Sequence, residues 1–187
     1  IIHRLDKDTS GLLVIARNLE SHHALTQQMK QRAITREYQA IVNGVMVAGG
    51  RVDAPMGRHP IQRTKMAVVA TGRTAVSHYR VIERFRAHTH IHVKLETGRT
   101  HQIRVHMAHI HYPLVGDPIY GKKGMPAQLT APLREALQAF KRQALHAAAL
   151  SLIHPFSGQA ISWHAPLPQD MSDLLTLLRG DIHDEPT

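Results

Sequence analysis

Two runs near the C-terminal end, Ala144–Ile153 and Gln159–Trp163, are joined by a short link that holds the turn Pro155-Phe156-Ser157-Gly158. Both have the length of strands and are bounded by turn residues. A link this short forces them to lie antiparallel and side by side, because a parallel pair needs a crossover of about a dozen residues or more. Val76–Phe85 and Thr89–Leu95 repeat the situation across another short link. In Thr35–Gly44, Tyr38, Ala40 and Val42 alternate with Glu37, Gln39 and Ile41, so they point inward from a strand that a Gly turn ends. Leu12–Arg17 is apolar, branched and short, and reads as a further buried strand. Helical periodicity is confined to Leu19–Arg32 after Asn18, a segment from about His101, Leu133–Phe140, and Pro168–Arg179 with Met171, Leu174, Leu175 and Leu178 on one face. Between strands, Val45–Ala70 is a basic, turn-rich excursion, expected to be a functional loop or a small hairpin. The fold class is α+β: a mixed, mainly antiparallel sheet flanked by helices and loops.

Charge narrows the partners. Lys and Arg number 23 against 14 Asp and Glu, a formal +9, in a chain of 187 residues that fits one domain or one domain with an extension. The positive residues are spread along the chain, which suits a folded basic face binding a polyanion, nucleic acid first and an acidic membrane surface second. There is no Cys, which excludes disulfides and thiolate zinc sites. No apolar run approaches the roughly 20 residues of a membrane span, and the expected setting is soluble and cytoplasmic. Ile1-Ile2 read as the end of an apolar segment already under way, so a preceding segment is expected.

Polar residues crowd into two places. In His3-Arg4-Leu5-Asp6-Lys7-Asp8-Thr9-Ser10-Gly11, Asp6 is the candidate catalytic carboxylate and its neighbours are the setting. The plainer reading of that stretch is a strand-capping turn. In Glu96–Ala108, Thr97 or Thr100 is the expected N-cap of a helix with Ile103, Met107 and Ile110 as its apolar stripe. Arg104 falls beside that stripe; if buried it needs a carboxylate, and Asp6 and Glu96 are the candidates. His88, His90 and His92 share one strand face, read as wet and partly cationic in preference to a metal site. Nucleophilic Cys, phosphate-cradling Gly loop, dinucleotide fingerprint and HExxH are all missing from the sequence. Asp6 beside an Arg-containing turn, Tyr38 on a neighbouring strand and Arg104 on a distant helix form a candidate cofactor-free site, and a carboxylate can act as a nucleophile at a sugar carbon. Tyr38 also reads simply as a buried aromatic.

These segments, taken in order, resemble the RNA pseudouridine synthases: His3-Arg4-Leu5-Asp6 with Thr9-Ser10-Gly11, Arg36-Glu37-Tyr38, Gly98-Arg99-Thr100-His101-Gln102-Ile103-Arg104, Gly116-Asp117-Pro118-Ile119-Tyr120-Gly121, Leu145-His146-Ala147 and Trp163-His164-Ala165-Pro166. The similar branch modifies large-subunit ribosomal RNA and some transfer RNAs. The resemblance implies that Asp6 attacks the ribose or assists cleavage of the glycosidic bond. It implies that Tyr38 stacks on the target base and is a candidate for removing the C5 proton, that Arg104 pairs with the aspartate, and that Leu150 lines the pocket. Arg4, Thr9, Arg99 and His101 are the expected substrate contacts. It implies no metal or organic cofactor, no membrane, and a target uridine extruded from an RNA stem-loop, free or in a pre-ribosomal particle.

Catalytic domains of that family begin earlier, with a Lys-Pro-Gly-type strand and often an S4-like RNA-binding domain. Residues 1–180 are therefore expected to be a C-terminal portion of the catalytic domain and 181–187 a disordered acidic tail. Two other readings stay open: an RNA-binding module without activity, and a glycoside hydrolase, which would need a second essential carboxylate.

Overall fold

A computed structural model describes residues 1–122 and 124–181. In chain order the elements are β1 (Ser10–Gly11), α1 (Leu19–Lys30), β2 (Thr35–Asn43), β3 (Gly50–Asp53), β4 (Met56–Arg58), β5 (Met66–Val68), β6 (Val76–Arg84), β7 (His88–Leu95), α2 (Gln102–His109), α3 (Ala131–Ala139), β8 (Leu145–Ile153), β9 (Ala160–His164) and α4 (Gln169–Gly180). The main sheet runs β1-β8-β2-β7-β6-β3, with β9 also on β8, and β4 pairs with β5 as a separate hairpin. Every pairing is antiparallel except β1 with β8. The mixed, mainly antiparallel α+β class follows, and the excursion after β2 contains a small hairpin.

The alternation in β2 assigns the layers. Tyr38, Ala40 and Val42 face one way, where Ile91, Val93, Leu145 and Ala147 of the sheet meet Ile103 and Met107 of α2. Ile41 faces the other way, onto Leu133 of α3 and Met171, Leu174, Leu175 and Leu178 of α4. The β8 register against β2 slips between Glu37 and Tyr38, so that Tyr38 faces Ala147 and Arg36 faces Leu150. This bulge keeps Leu145, Ala147 and Leu150 on one face, which simple alternation would not.

Leu12–Arg17 is not a strand. After Gly11 the same edge of β8 is taken by β9, from Ala149↔His164 to Ile153↔Ala160, so the incoming chain loses its ladder. Leu12, Val14 and Ala16 still pack inward against Leu25, Ile34, Leu150 and Leu152, while Leu13 and Ile15 are exposed.

The histidine row is not a wet, cationic face. His88 and His90 are buried, and burial, the largest cause in each case, pushes both down to about 4. His92 is bonded to Glu37 at 2.9 Å. Among the described residues no group of three or more His, Asp or Glu could hold a metal ion. Two buried neutral imidazoles make stability pH-dependent. Above about pH 6.5 they are neutral in both the folded and unfolded chain; between 6.5 and about 4 only the unfolded chain takes up the protons. Stability is therefore expected to fall on acidification through that window, by about 1.4 kcal/mol per pH unit for each histidine. Urea unfolding at several pH values measures the slope, and a His90→Gln variant with an undiminished slope would exclude His90 from it.

The expected acidic tail lies, from residue 182 onward, outside the described residues. Asp181 itself is not part of a frayed end: it is buried, accepts from Arg86 Nη2 at 2.8 Å, and accepts from the Thr130 amide at 3.0 Å before α3. Among the described residues no helix is long and apolar enough to cross a membrane.

Candidate active site

The turn that carries Asp6 is closed by the Thr9 amide donating to the Asp6 carbonyl at 3.0 Å. It is anchored to the chain entering β8. Gln143, fully buried, donates from Nε2 to the Lys7 carbonyl at 2.6 Å and to Thr9 Oγ1 at 2.9 Å. Ser10 Oγ bonds His146 Nδ1 at 2.9 Å, and the Leu12 amide donates to the Ala147 carbonyl at 2.9 Å. Between these bonds sits Gly11, at φ 107°, where a Cβ would run into the Ala147 carbonyl. Gly11→Ala is expected to cost about 1–3 kcal/mol, from the strained φ and the clash together. Chemical denaturation reads this, and an unchanged midpoint would show that the turn can yield.

Arg104 reaches the same place from α2 and is buried, with 3% of its side chain accessible. It donates from Nε to Asp117 Oδ2 at 2.7 Å and from Nη2 to Asp117 Oδ1 at 2.9 Å, leaving Nη1 at 3.4 Å from Asp6 Oδ2. Asp117 also accepts from the amides of Ile119 at 2.8 Å and Tyr120 at 3.0 Å. Of the two carboxylates expected for Arg104, Asp6 is present at the longer distance. Glu96 is elsewhere, bonded to His78 and Arg32. The main partner is Asp117, which the sequence showed only as the lone acid of a Pro/Gly loop. Burial alone would lower the Arg104 pKa, but the hydrogen bonds and charge of Asp117, and then Asp6, outweigh it and raise it. Burial likewise would raise Asp117, and the Arg104 bonds with the two amides hold it below its ordinary value.

Tyr120 binds this pair to the helix start. Its ring lies 5.1 Å from the Arg104 guanidinium carbon, and its hydroxyl accepts from the Met66 amide at 2.9 Å. The hydroxyl also shares a hydrogen bond with His101 Nδ1 at 2.8 Å, and burial lowers the His101 pKa. His101, not a threonine, stands at the N-cap, in the left-handed region at φ 58° and without a side-chain cap bond. Thr97 is diverted: its hydroxyl accepts from the Val76 amide and donates to Gln102 Oε1.

The Asp6 turn and the start of α2 line a cavity of about 360 Å³. Asp6, Tyr38, Arg4, Thr9, Arg99 and His101, all expected from the sequence, are on its wall, as are His3, Arg36 and Leu145. Arg104 stands behind Asp6 and is not on that wall, and neither is Leu150. Leu150 is buried past the bulge with Leu25, Ile34 and Leu152, and Leu145 supplies the apolar wall that Leu150 was expected to supply. Burial raises the Tyr38 pKa, with the Asp6 charge adding to it against Arg36, so the phenol keeps its proton. Arg99 borders a second cavity lined also by Arg58 and Arg73, a basic track leading away from Asp6.

The mixed sheet thus presents one carboxylate, backed by a buried arginine–aspartate pair, to a cavity whose wall also carries Arg4, Arg36 and Arg99. Residues 1–109 match the family model described as RNA pseudouridylate synthase, and the chain belongs to that family. It is 59% identical over 182 residues to "Ribosomal large subunit pseudouridine synthase D" of Pseudomonas aeruginosa, covering 97% of this chain and 57% of that protein. The protein of that name from Escherichia coli (strain K12) is 52% identical over 185 residues, with 98% of this chain and 57% of the relative covered. The chain thus spans little more than half the length of these relatives. Among solved structures, human RNA pseudouridylate synthase domain containing 4 superposes with a TM-score of 0.75 at 26% identity, covering 95% of this chain and 75% of that one.

Proposed function

We propose that residues 1–180 carry the catalytic site of an RNA pseudouridine synthase that isomerises uridines of large-subunit ribosomal RNA. The carrying observation is the Asp6 carboxylate on the cavity wall, with Arg104 Nη1 at 3.4 Å behind it. The names and identities of the relatives support the reaction and the RNA class, and the formal +9 of the chain suits such a substrate. Uridine and pseudouridine contain the same atoms. The N1–C1′ bond breaks, the uracil turns, a C5–C1′ bond forms, and the C5 proton leaves while N1 gains one. The balance needs no oxidant, no group donor and hence no cofactor.

In this reading Asp6 acts at the ribose, as nucleophile at C1′ or in assisting the glycosidic cleavage. Arg104 places a fixed positive charge against it, and the Asp117 bonds hold that charge in position. Tyr38 is the stacking platform for the extruded base. Its raised pKa opposes a phenolate, so it accepts the C5 proton only after its own has gone elsewhere. Arg4, Thr9, Arg99 and His101 contact the flanking nucleotides, and a splayed loop base in a stem-loop is the cheapest to extrude. An enzyme acting on ribosomal RNA in this way would work in the cytoplasm.

The test is tritium release from ribosomal RNA labelled at uridine C5, with mass analysis of the digested product. An isomer of unchanged mass is expected. Free uracil would instead indicate glycosidic hydrolysis, and salt-sensitive binding without release an inactive RNA-binding module.

A further inference from the structure

Arg36 is a polar group of the cavity wall that the internal bonding leaves unused. It lies on β2 two residues before Tyr38, on the same face, with a relative exposure of 8%, and it lines the cavity. Its Nε has no hydrogen-bond partner, and among the described residues no carboxylate pairs with it. A guanidinium removed from water without a counter-charge is costly, and folded proteins keep such a group where something else supplies the anion. Burial lowers its pKa, and no Asp or Glu offsets that.

The surroundings are shaped to admit a ligand anion. Gly98 lies against Arg36 Nη1, and a Cβ there would occupy the guanidinium's place. His3, also on the cavity wall, has an unpartnered Nδ1, and its Nε2 accepts from the Val14 amide at 3.0 Å. That bond requires the proton on Nδ1, which leaves an N–H donor free. His3 is held neutral, at about 4, by burial and then by the Arg36 charge. A buried fork of N–H donors beside a free imidazole N–H matches the oxygens of a phosphodiester.

We propose that Arg36, with His3, forms a phosphodiester-binding subsite that takes the RNA backbone phosphate next to the extruded nucleotide. The placement of Tyr38 and Arg36 on one strand face then sets base and backbone in register: the base lies on the ring and the phosphate on the fork one pleat away. This rests on the reading of the cavity as a flipped-uridine site.

The probe is a synthetic ribosomal RNA stem-loop containing one uridine that the protein converts, with single linkages replaced in turn by uncharged methylphosphonate. Failure to convert any such uridine would refute the proposed reaction, and is therefore distinct from failure of the subsite. With conversion established, neutralising a linkage beside the target uridine is expected to weaken binding by roughly ten- to a hundredfold. In Arg36→Met the same neutralisation should have no further effect, and conversion should fall with binding. Because Met removes an unpaired buried charge, the variant's melting temperature is expected to be equal or higher. A scan in which no linkage next to the uridine matters in the unsubstituted protein overturns the subsite, whatever the variant does. Equal losses in the unsubstituted protein and in Arg36→Met also overturn it.

Discussion

Asp6→Asn is expected to lower pseudouridine formation by at least roughly a thousandfold while leaving the protein folded. The substitution keeps shape and hydrogen-bonding volume but removes the charge and the nucleophilic oxygen. It should cost little stability, because the Arg104–Asp6 contact is long at 3.4 Å and Arg104 keeps both bonds to Asp117. A change below about 1 kcal/mol in unfolding free energy is the expectation. Single-turnover tritium release with matched thermal melts separates the two quantities. Full turnover in the variant would remove Asp6 from the chemistry, and loss of the fold with activity would make its role structural.

Asp117→Ala should damage the molecule in the opposite order, stability first. Asp117 is buried and accepts from Arg104 Nε and Nη2 and from the amides of Ile119 and Tyr120. Deleting it leaves a buried guanidinium with only the 3.4 Å contact to Asp6. Loss of one partner of a buried pair costs about 3–5 kcal/mol, since the desolvated charge is left uncompensated. Activity in the folded fraction should drop as well, because the charge behind Asp6 is no longer held. The carboxyl's folded pKa is depressed, so its contribution is present above the unfolded value and is lost as the pH falls through the folded value. The difference between the parent protein and the Ala variant in urea unfolding should therefore shrink in acid. A double variant, Asp117→Ala with Arg104→Met, should regain part of the loss; if it does not, the unpaired charge is not the cause.

Much of this was legible in the chain. Proline, glycine and alternation are local instructions, so the β8–β9 hairpin, the inward residues of β2 and the apolar face of α4 could be read without a structure. So could the Asp6 turn, whose density of charge and hydroxyls beside an apolar run is itself unusual. Where the reading failed, something came from across the fold. Leu12–Arg17 has strand composition, but β9 occupies the edge it would need. His88 and His90 have polar side chains, but the folded chain buries them.

The site shows the same division. By itself the amino-acid sequence determined most of the strands, the helices, the glycine-containing turn of Asp6, and the candidate carboxylate, because each depends on residues within a few positions. Only the tertiary structure decided that Asp117 and not Glu96 holds Arg104, that Leu145 and not Leu150 faces the cavity, and that Arg36 is left without a counter-ion. Periodicity says which face a side chain takes. It does not say what the rest of the chain brings to that face, and burial and pairing, which set the electrostatics, depend on that arrival.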